Sequence, residues 1–132
     1  MLRRRRRRFA LRELVLVGLG AVPGAWLRWQ AAVQLGPWLG GSAGSNLLVN
    51  LLGAYVLGLL SGPIPQRTAL VLAVGVGFCG ALTTFSSWMF DLVQLLRSSE
   101  PLRGLLLLVG SLAGGLAAAA LGLATSRRLW RR

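Results

Sequence analysis

Three long runs without a charged residue constrain this chain more than any other feature. Trp29–Gln66 is uncharged for 38 residues, Thr68–Phe90 for 23 and Gly104–Ser126 for 23. A helix rising 1.5 Å per residue needs about 20 apolar residues to cross hydrocarbon. The second and third runs are therefore one span each. The first is too long for one span, and Gly36, Pro37, Gly40, Gly41 and Gly44 read as a loop within it. These runs predict an all-α integral membrane protein with four transmembrane helices, at about 14–35, 42–61, 68–96 and 103–125. A basic segment, 1–13, precedes the membrane domain 14–126, and a basic tail, 127–132, follows it. Composition agrees: 55% of residues are hydrophobic and 14% charged, where a soluble domain carries about a quarter charged.

The arginine run Arg3–Arg8 before an apolar stretch resembles a signal peptide, and Arg6-Arg7-Arg8-Phe9 imitates a twin-Arg export signal. Three more spans follow it, so the first helix is expected to be retained. Beside a membrane span the arginines are read as an anchor on anionic lipid, not as a nucleic-acid patch. Their placement sets orientation. With four spans, both termini and the 61–67 loop share one side. That side carries Arg3–Arg8, Arg12, Arg67, Arg127, Arg128, Arg131 and Arg132; the other carries Arg97 and Arg103, with Arg28 near or inside the first span. Basic residues stay cytoplasmic, so both termini are predicted there, in a multi-pass protein of the inner (plasma) membrane.

The side-chain inventory closes off most catalysis. There is no His, hence no Ser-His-Asp triad and no His-ligated zinc, and no Lys, hence no phosphate-cradling P-loop. Cys79 is alone, so no disulfide forms within the chain. Glu13, Asp91 and Glu100 are the only acids. No enzymatic function is expected.

Small residues one turn apart, Gly20/Gly24, Gly110/Gly114 and Ser111/Gly115, are candidate close-contact points between helices. Four short spans hardly enclose a pore, so an oligomer is expected. The third span is the least regular. Gly75, Gly77 and Gly80 lie at its middle, ahead of Thr83-Thr84 and Ser86-Ser87; each Gly costs a helix interior about 1 kcal/mol. A broken helix at membrane depth survives where its backbone is buried in protein or lines a wet cavity, and freed carbonyls can hold a cation. The Gly80–Thr84 stretch is thus either a backbone ion site or an unoccupied kink.

Polar residues inside the spans are the candidate functional groups. Asn46 and Asn50, four apart, share a helix face. They serve either interhelical hydrogen bonding or a track of donors for an anion, which Ser111 could join. Phe85 and Trp88, three apart, share a face after the break; their positive ring edges could help hold an anion weakly enough to release it, or they are simply packing aromatics. Arg28 either marks the mouth of an anion path or snorkels to the interface. Asp91 could pair with an arginine at the far interface.

These residues together resemble the Fluc/CrcB family of fluoride channels. Gly24-Ala25-Trp26-Leu27-Arg28 is similar to the family's G-A-x-x-R. Asn46-Leu47-Leu48-Val49-Asn50-Leu51-Leu52-Gly53 resembles T-L-x-x-N-x-x-G. Gly77-Phe78-Cys79-Gly80-Ala81-Leu82-Thr83-Thr84-Phe85-Ser86-Ser87 is close to G-F-x-G-G-x-T-T-F-S-T. The resemblance covers essentially the whole chain, and the third motif is the specific one. It implies a dimer of antiparallel protomers with two fluoride pores and a central structural sodium ion. By that resemblance Gly80 and Thr83 give backbone carbonyls to sodium, Asn50 is the pore amide, Phe85 the first ring of an aromatic box, and Ser111 a pore hydroxyl. The implied physiology is passive fluoride export. Two positions depart from the pattern. Trp88 stands where the second ring is usually Phe, and Asn46 where Thr usually precedes the pore amide. With the arginine bias, these departures suggest a one-way-inserted chain that pairs with an oppositely biased paralogue; a homodimer is the alternative.

Two other functions compete. A small multidrug-type, proton-coupled exporter needs a carboxylate at mid-membrane, and neither Glu13 nor Asp91 is well placed. A non-transporting membrane subunit needs neither paired intramembrane amides nor a broken third helix.

Overall fold

The structure, a computed structural model, describes residues 2–64 and 68–130. Arg67, Arg131 and Arg132, which enter the charge comparison above, lie outside the described residues, as does the rest of 65–67. All regular structure among the described residues is helical. Helix α1 (Leu2–Gln30) winds on through a π-helical turn, Ala31–Leu35. Helix α2 is Ser42–Leu60. Helix α3, 68–82, consists of two short α-turns, Thr68–Leu70 and Gly80–Leu82, on either side of a π-helical run, Val71–Cys79. Helix α4 is Ser86–Arg97 and helix α5 is Pro101–Leu129.

Taken as membrane-capable segments these are Ala10–Leu35, Ser42–Leu60, Thr68–Arg97 and Pro101–Leu129, the four spans expected. The boundaries have local causes. The chain leaves α1 in a turn where the Gly41 N–H reaches the Gly36 carbonyl at 2.7 Å, and Gly40 and Gly41 take positive φ of 78° and 101°. Only glycine adopts that backbone without strain. Helix α5 opens on Pro101, whose fixed φ suits a first helical position, and its last turn carries Arg127 and Arg128, which complement the helix dipole. Helix α1 starts at Leu2, ahead of the arginine run, so the basic segment belongs to the same helix as the span.

The third span breaks within the expected Gly80–Thr84 stretch, at its threonine end. Gly75 and Gly77 lie inside the π-helical run, and the chain leaves helical geometry at Thr83, whose ψ is 155°. Runs of π-helix this long are rare. This one lies where two backbones touch. A side chain at Gly77 would collide with the Val17 carbonyl, one at Gly20 with the Ala73 carbonyl, and one at Gly24 with the Phe78 carbonyl. Helices α1 and α3 therefore pack backbone to backbone, and the Gly20/Gly24 pair is a true contact point.

The other small-residue pairs make no such contact within this chain. Gly110 and Gly115 have open space where a side chain would go, and Gly114 meets only the side chain of Leu51. Helix α5 instead meets α2 nearer its C-terminal end. There a side chain at Gly122 would strike the Tyr55 carbonyl, and one at Gly58 the Ala119 carbonyl. Ala54/Gly58 and Ala118/Gly122 carry the same four-residue spacing of small residues; spacing alone could not rank them above Gly110/Gly114.

Polarity runs inside out relative to a soluble domain. The apolar core is small: Trp88, Leu92 and Leu107, with Ala43, Leu47, Leu95 and Leu108 against it. Leu105, Leu106, Leu112 and Leu116 of α5 are exposed, whereas Ser45, Asn46, Thr84, Asp91 and Ser126 are buried. That is the order hydrocarbon imposes, because polar groups need partners that lipid cannot supply. The one salt bridge among the described residues, Arg103–Glu100, is exposed and local, and so contributes little.

Replacing Gly20 by Val should force α1 and α3 apart and cost about 1–3 kcal/mol, read as a lower unfolding midpoint in a denaturing-detergent titration. Gly18→Ala, on the same helix but facing open space, should leave that midpoint unchanged or raise it. Equal losses in the two variants would refute the backbone contact.

Candidate functional site

The break at residues 83–85 is held by one side chain from α2. Asn50 Nδ2 donates to the Thr84 carbonyl at 2.9 Å, and the Thr84 N–H donates to Asn50 Oδ1 at 2.8 Å. The amide thus replaces, at a single residue, both bonds that a continuous helix would have made. Gly53 makes the approach possible. It lies three residues after Asn50, on the same face of α2, and a side chain there would collide with the Thr83 methyl. This gives the N-x-x-G spacing a physical meaning: an amide to hold the broken chain and a gap to admit it.

The surrounding hydroxyls close the remaining backbone groups. Thr83 Oγ1 donates to the Cys79 carbonyl at 2.9 Å, and Thr84 Oγ1 accepts the Ser87 N–H at 3.2 Å. The latter satisfies one of the first N–H groups of α4, which have no carbonyl within the helix. As a result two carbonyls lose their usual donors. The N–H that a continuous helix would aim at Gly80 O, that of Thr84, is on Asn50; the one for Thr83 O, that of Ser87, is on Thr84 Oγ1. Arg28, half-buried, donates from Nη1 to Thr83 O at 3.4 Å. It neither snorkels free nor reaches the aromatic pair.

On one side of the break lies a groove of about 310 Å³, lined by Asn50, Thr83, Thr84, Phe85, Trp88, Ser111 and Leu112. It contains no charged side chain. Phe85 is 71% exposed, whereas Trp88 is buried. Their ring centroids are 5.5 Å apart with planes inclined by 42°, a tilted contact within the range of aromatic pairs. Trp88 Nε1 donates to Ser111 Oγ at 2.9 Å, and Ser111 Oγ donates to the Leu107 carbonyl at 2.5 Å. The structure therefore brings together Asn50, Phe85, Trp88 and Ser111, from three helices, in one place.

Asn46 does not join them. Although it shares a face of α2 with Asn50, it is buried and its Nδ2 donates to Asp91 Oδ2 at 2.6 Å. It borders a separate cavity of about 510 Å³ with Ser42 and Asp91. Asp91 is the residue that sequence reasoning misplaced. Expected to pair with an arginine, it is 5% exposed and accepts hydrogen bonds from Ser42 Oγ at 2.5 Å and from Asn46. A buried carboxylate needs donors, and here neutral ones from the start of α2 supply them. The expected anion track of both asparagines is thus divided, with Asn46 serving as an interhelical partner. The only available signal was that two polar residues, Ser42 and Asn46, lie one turn apart on α2.

Among the described residues no cluster of three or more His, Cys, Asp or Glu side chains could hold a metal.

Comparison with known proteins follows the same lines. A family model described as CrcB-like protein, Camphor Resistance (CrcB), matches residues 15–123. The chain is 51% identical over 119 residues to the fluoride-specific ion channel FluC 2 of Synechococcus sp. (strain CC9902), an alignment covering 90% of this chain and 83% of that one. It is 40% identical over 113 residues to the fluoride-specific ion channel FluC 1 of the same strain, covering 83% and 90% respectively. It is 38% identical over 120 residues to the fluoride-specific ion channel FluC of Prosthecochloris aestuarii (strain DSM 271 / SK 413), covering 86% and 92%. A family match reaching across all four helices, with half the aligned residues shared with one relative, makes this chain a multi-pass membrane protein of the CrcB-like family.

Proposed function

We propose that this chain is one protomer of a fluoride-selective channel that lets fluoride leave the cytoplasm passively across the plasma membrane. One observation carries the reading. Asn50 clamps Thr84 with Oδ1 and a single N–H, its other N–H has no acceptor among the described residues, and the residue lines a groove without charge together with Phe85 and Trp88. A small anion leaving water needs donors, yet a conducting site must also release it. Amide N–H and ring edges attract an anion without the depth of a guanidinium well. Arg28 stays on the Thr83 carbonyl, outside the residues that line the groove. The fluoride specificity stated in the names of the relatives supports the same conclusion. A proton-coupled exporter is disfavoured because Asp91 is held by Ser42, the first residue of α2 and hence near a membrane face.

The same reading assigns a structural sodium ion to the carbonyls of Gly80 and Thr83. These oxygens fit a hard cation in kind: they are neutral, and their helical donors are engaged elsewhere, although the Thr83 oxygen also accepts from Arg28 at 3.4 Å and would have only its second lone pair to give. Gly80 is exposed with open space beside it. Two oxygens fall short of the shell that hard cations gather, so a second, antiparallel protomer would complete it. When bound, the ion would supply positive charge that fastens the two breaks together.

The arginine distribution argues for a partner that is not a second copy. A chain inserted both ways round needs weak bias, because bias sets orientation. Strain CC9902 carries both a FluC 1 and a FluC 2, and this chain shares more identity with the latter. The partner is therefore an oppositely biased paralogue, with both termini of this chain in the cytoplasm.

Two measurements test these statements. In liposomes read with a fluoride electrode, Asn50→Asp, nearly isosteric, should cut efflux by at least about tenfold, since like charges about 4 Å apart repel by about 4 kcal/mol under partial screening. Phe85→Ala, at an exposed ring with little structural role, should slow efflux while the protein still assembles. Unchanged flux in both variants would remove the pore from this groove. Separately, accessibility tags on the two termini should report one side of the membrane. Equal populations on both sides would refute the paralogue pairing.

A further inference from the structure

We propose that a relay from the Trp88 N–H to Ser111 Oγ and from the Ser111 O–H to the Leu107 carbonyl takes the only donor of each side chain and so throttles the groove, making Trp88 a rate-setting residue that acts through Ser111. The inference rests on the fluoride reading above and concerns a pair whose hydrogen bonds that reading does not use. An indole has one N–H and a serine one O–H. The Trp88 N–H is taken by Ser111 Oγ at 2.9 Å, and the Ser111 proton is taken by the Leu107 carbonyl at 2.5 Å. Both residues line the groove, yet neither has a proton left for an anion there. What Ser111 can still turn toward the groove is a lone pair, which an anion avoids. Of the five donor-bearing side chains that line the groove, Thr83 gives its proton to the Cys79 carbonyl, and only Asn50, with its second N–H, and Thr84, whose Oγ1 accepts from Ser87, keep a donor with no acceptor among the described residues.

The arrangement is held firmly. Trp88 is 8% exposed and packs against Leu92 and Leu107, while Phe85 lies against its ring. The indole cannot swing away without opening the core. Leu107, whose carbonyl takes the Ser111 proton, belongs to that same core. A phenylalanine at position 88 would have no N–H. The Ser111 hydroxyl would then be free to rotate its proton away from Leu107 and into the groove. Conversely, removing the Ser111 hydroxyl would release the indole N–H.

This logic yields an unusual sign pattern. Trp88→Phe and Ser111→Ala should each raise fluoride efflux, by about fivefold for one hydrogen-bond donor gained. The double variant, which has neither donor, should fall below both singles. Parts that merely fill space would instead lower flux singly and lower it further together. The capping itself is read without transport. In nitrogen-15 indole spectra of the full-length chain with its partner, the resonance lost in Trp88→Phe identifies Trp88. Its proton should exchange slowly with solvent in the wild type and rapidly in Ser111→Ala. Rapid exchange in the wild type, or single variants that fail to gain flux, would overturn the capping while leaving the Asn50 and Phe85 results intact. Absence of fluoride flux from the wild-type assembly would overturn the channel reading itself, and this inference with it.

Discussion

The amide of Asn50 on the backbone of Thr84 is the contact on which the rest of this structure depends. Interrupting a helix inside hydrocarbon exposes an N–H and a C=O that lipid cannot satisfy. Leaving each unpartnered costs about 1–3 kcal/mol or more. One side chain answers both groups. Everything local follows from that arrangement. The chain at Thr83 turns extended, Thr84 Oγ1 satisfies the first turn of α4, and the donors for Gly80 O and Thr83 O are drawn elsewhere. The groove, the aromatic pair and the candidate cation site are all consequences of the same interruption.

The amide can do this only because two pairs of helices hold it in place. Helix α2, which carries Asn50, is locked to α5 through Gly58 and Gly122. Helix α3, which carries the break, is locked to α1 through Gly20, Gly24 and Gly77. In a medium with no hydrophobic drive between helices, close backbone packing is the available cohesion. The glycines therefore set the geometry that side-chain volume sets in a soluble core. The buried carboxylate of Asp91 is treated in the same economical way, with a hydroxyl and an amide from α2 in place of an ion pair. It ties α4 to the start of α2, beside the apolar core of Trp88, Leu92 and Leu107.

The four spans, and the irregularity of the third, could be read in advance because they depend on local composition. Lipid demands about 20 apolar residues whatever the neighbours are, and Gly, Thr and Ser weaken a helix wherever they cluster. The family resemblance of the second and third motifs also assigned Asn50 and Phe85 to one site. What could not be read was partner choice. Asn46 and Asn50 carry the same chemistry on the same face, and only the position of Asp91 separates their roles. Gly110/Gly114 and Ala118/Gly122 have the same spacing, and only the crossing point of α2 and α5 selects between them. The indole of Trp88 was visible as a donor, but its attachment to Ser111 spans 23 residues of sequence.

The sequence by itself thus determined that this is a four-span membrane protein with a flawed third helix and a strong arginine bias, because hydrocarbon thickness, glycine and the cost of charge act on residues independently of one another. Only the tertiary structure decided which donors stay free. A hydrogen bond requires two groups to meet, and where α2, α4 and α5 meet is settled by packing among helices far apart in the chain.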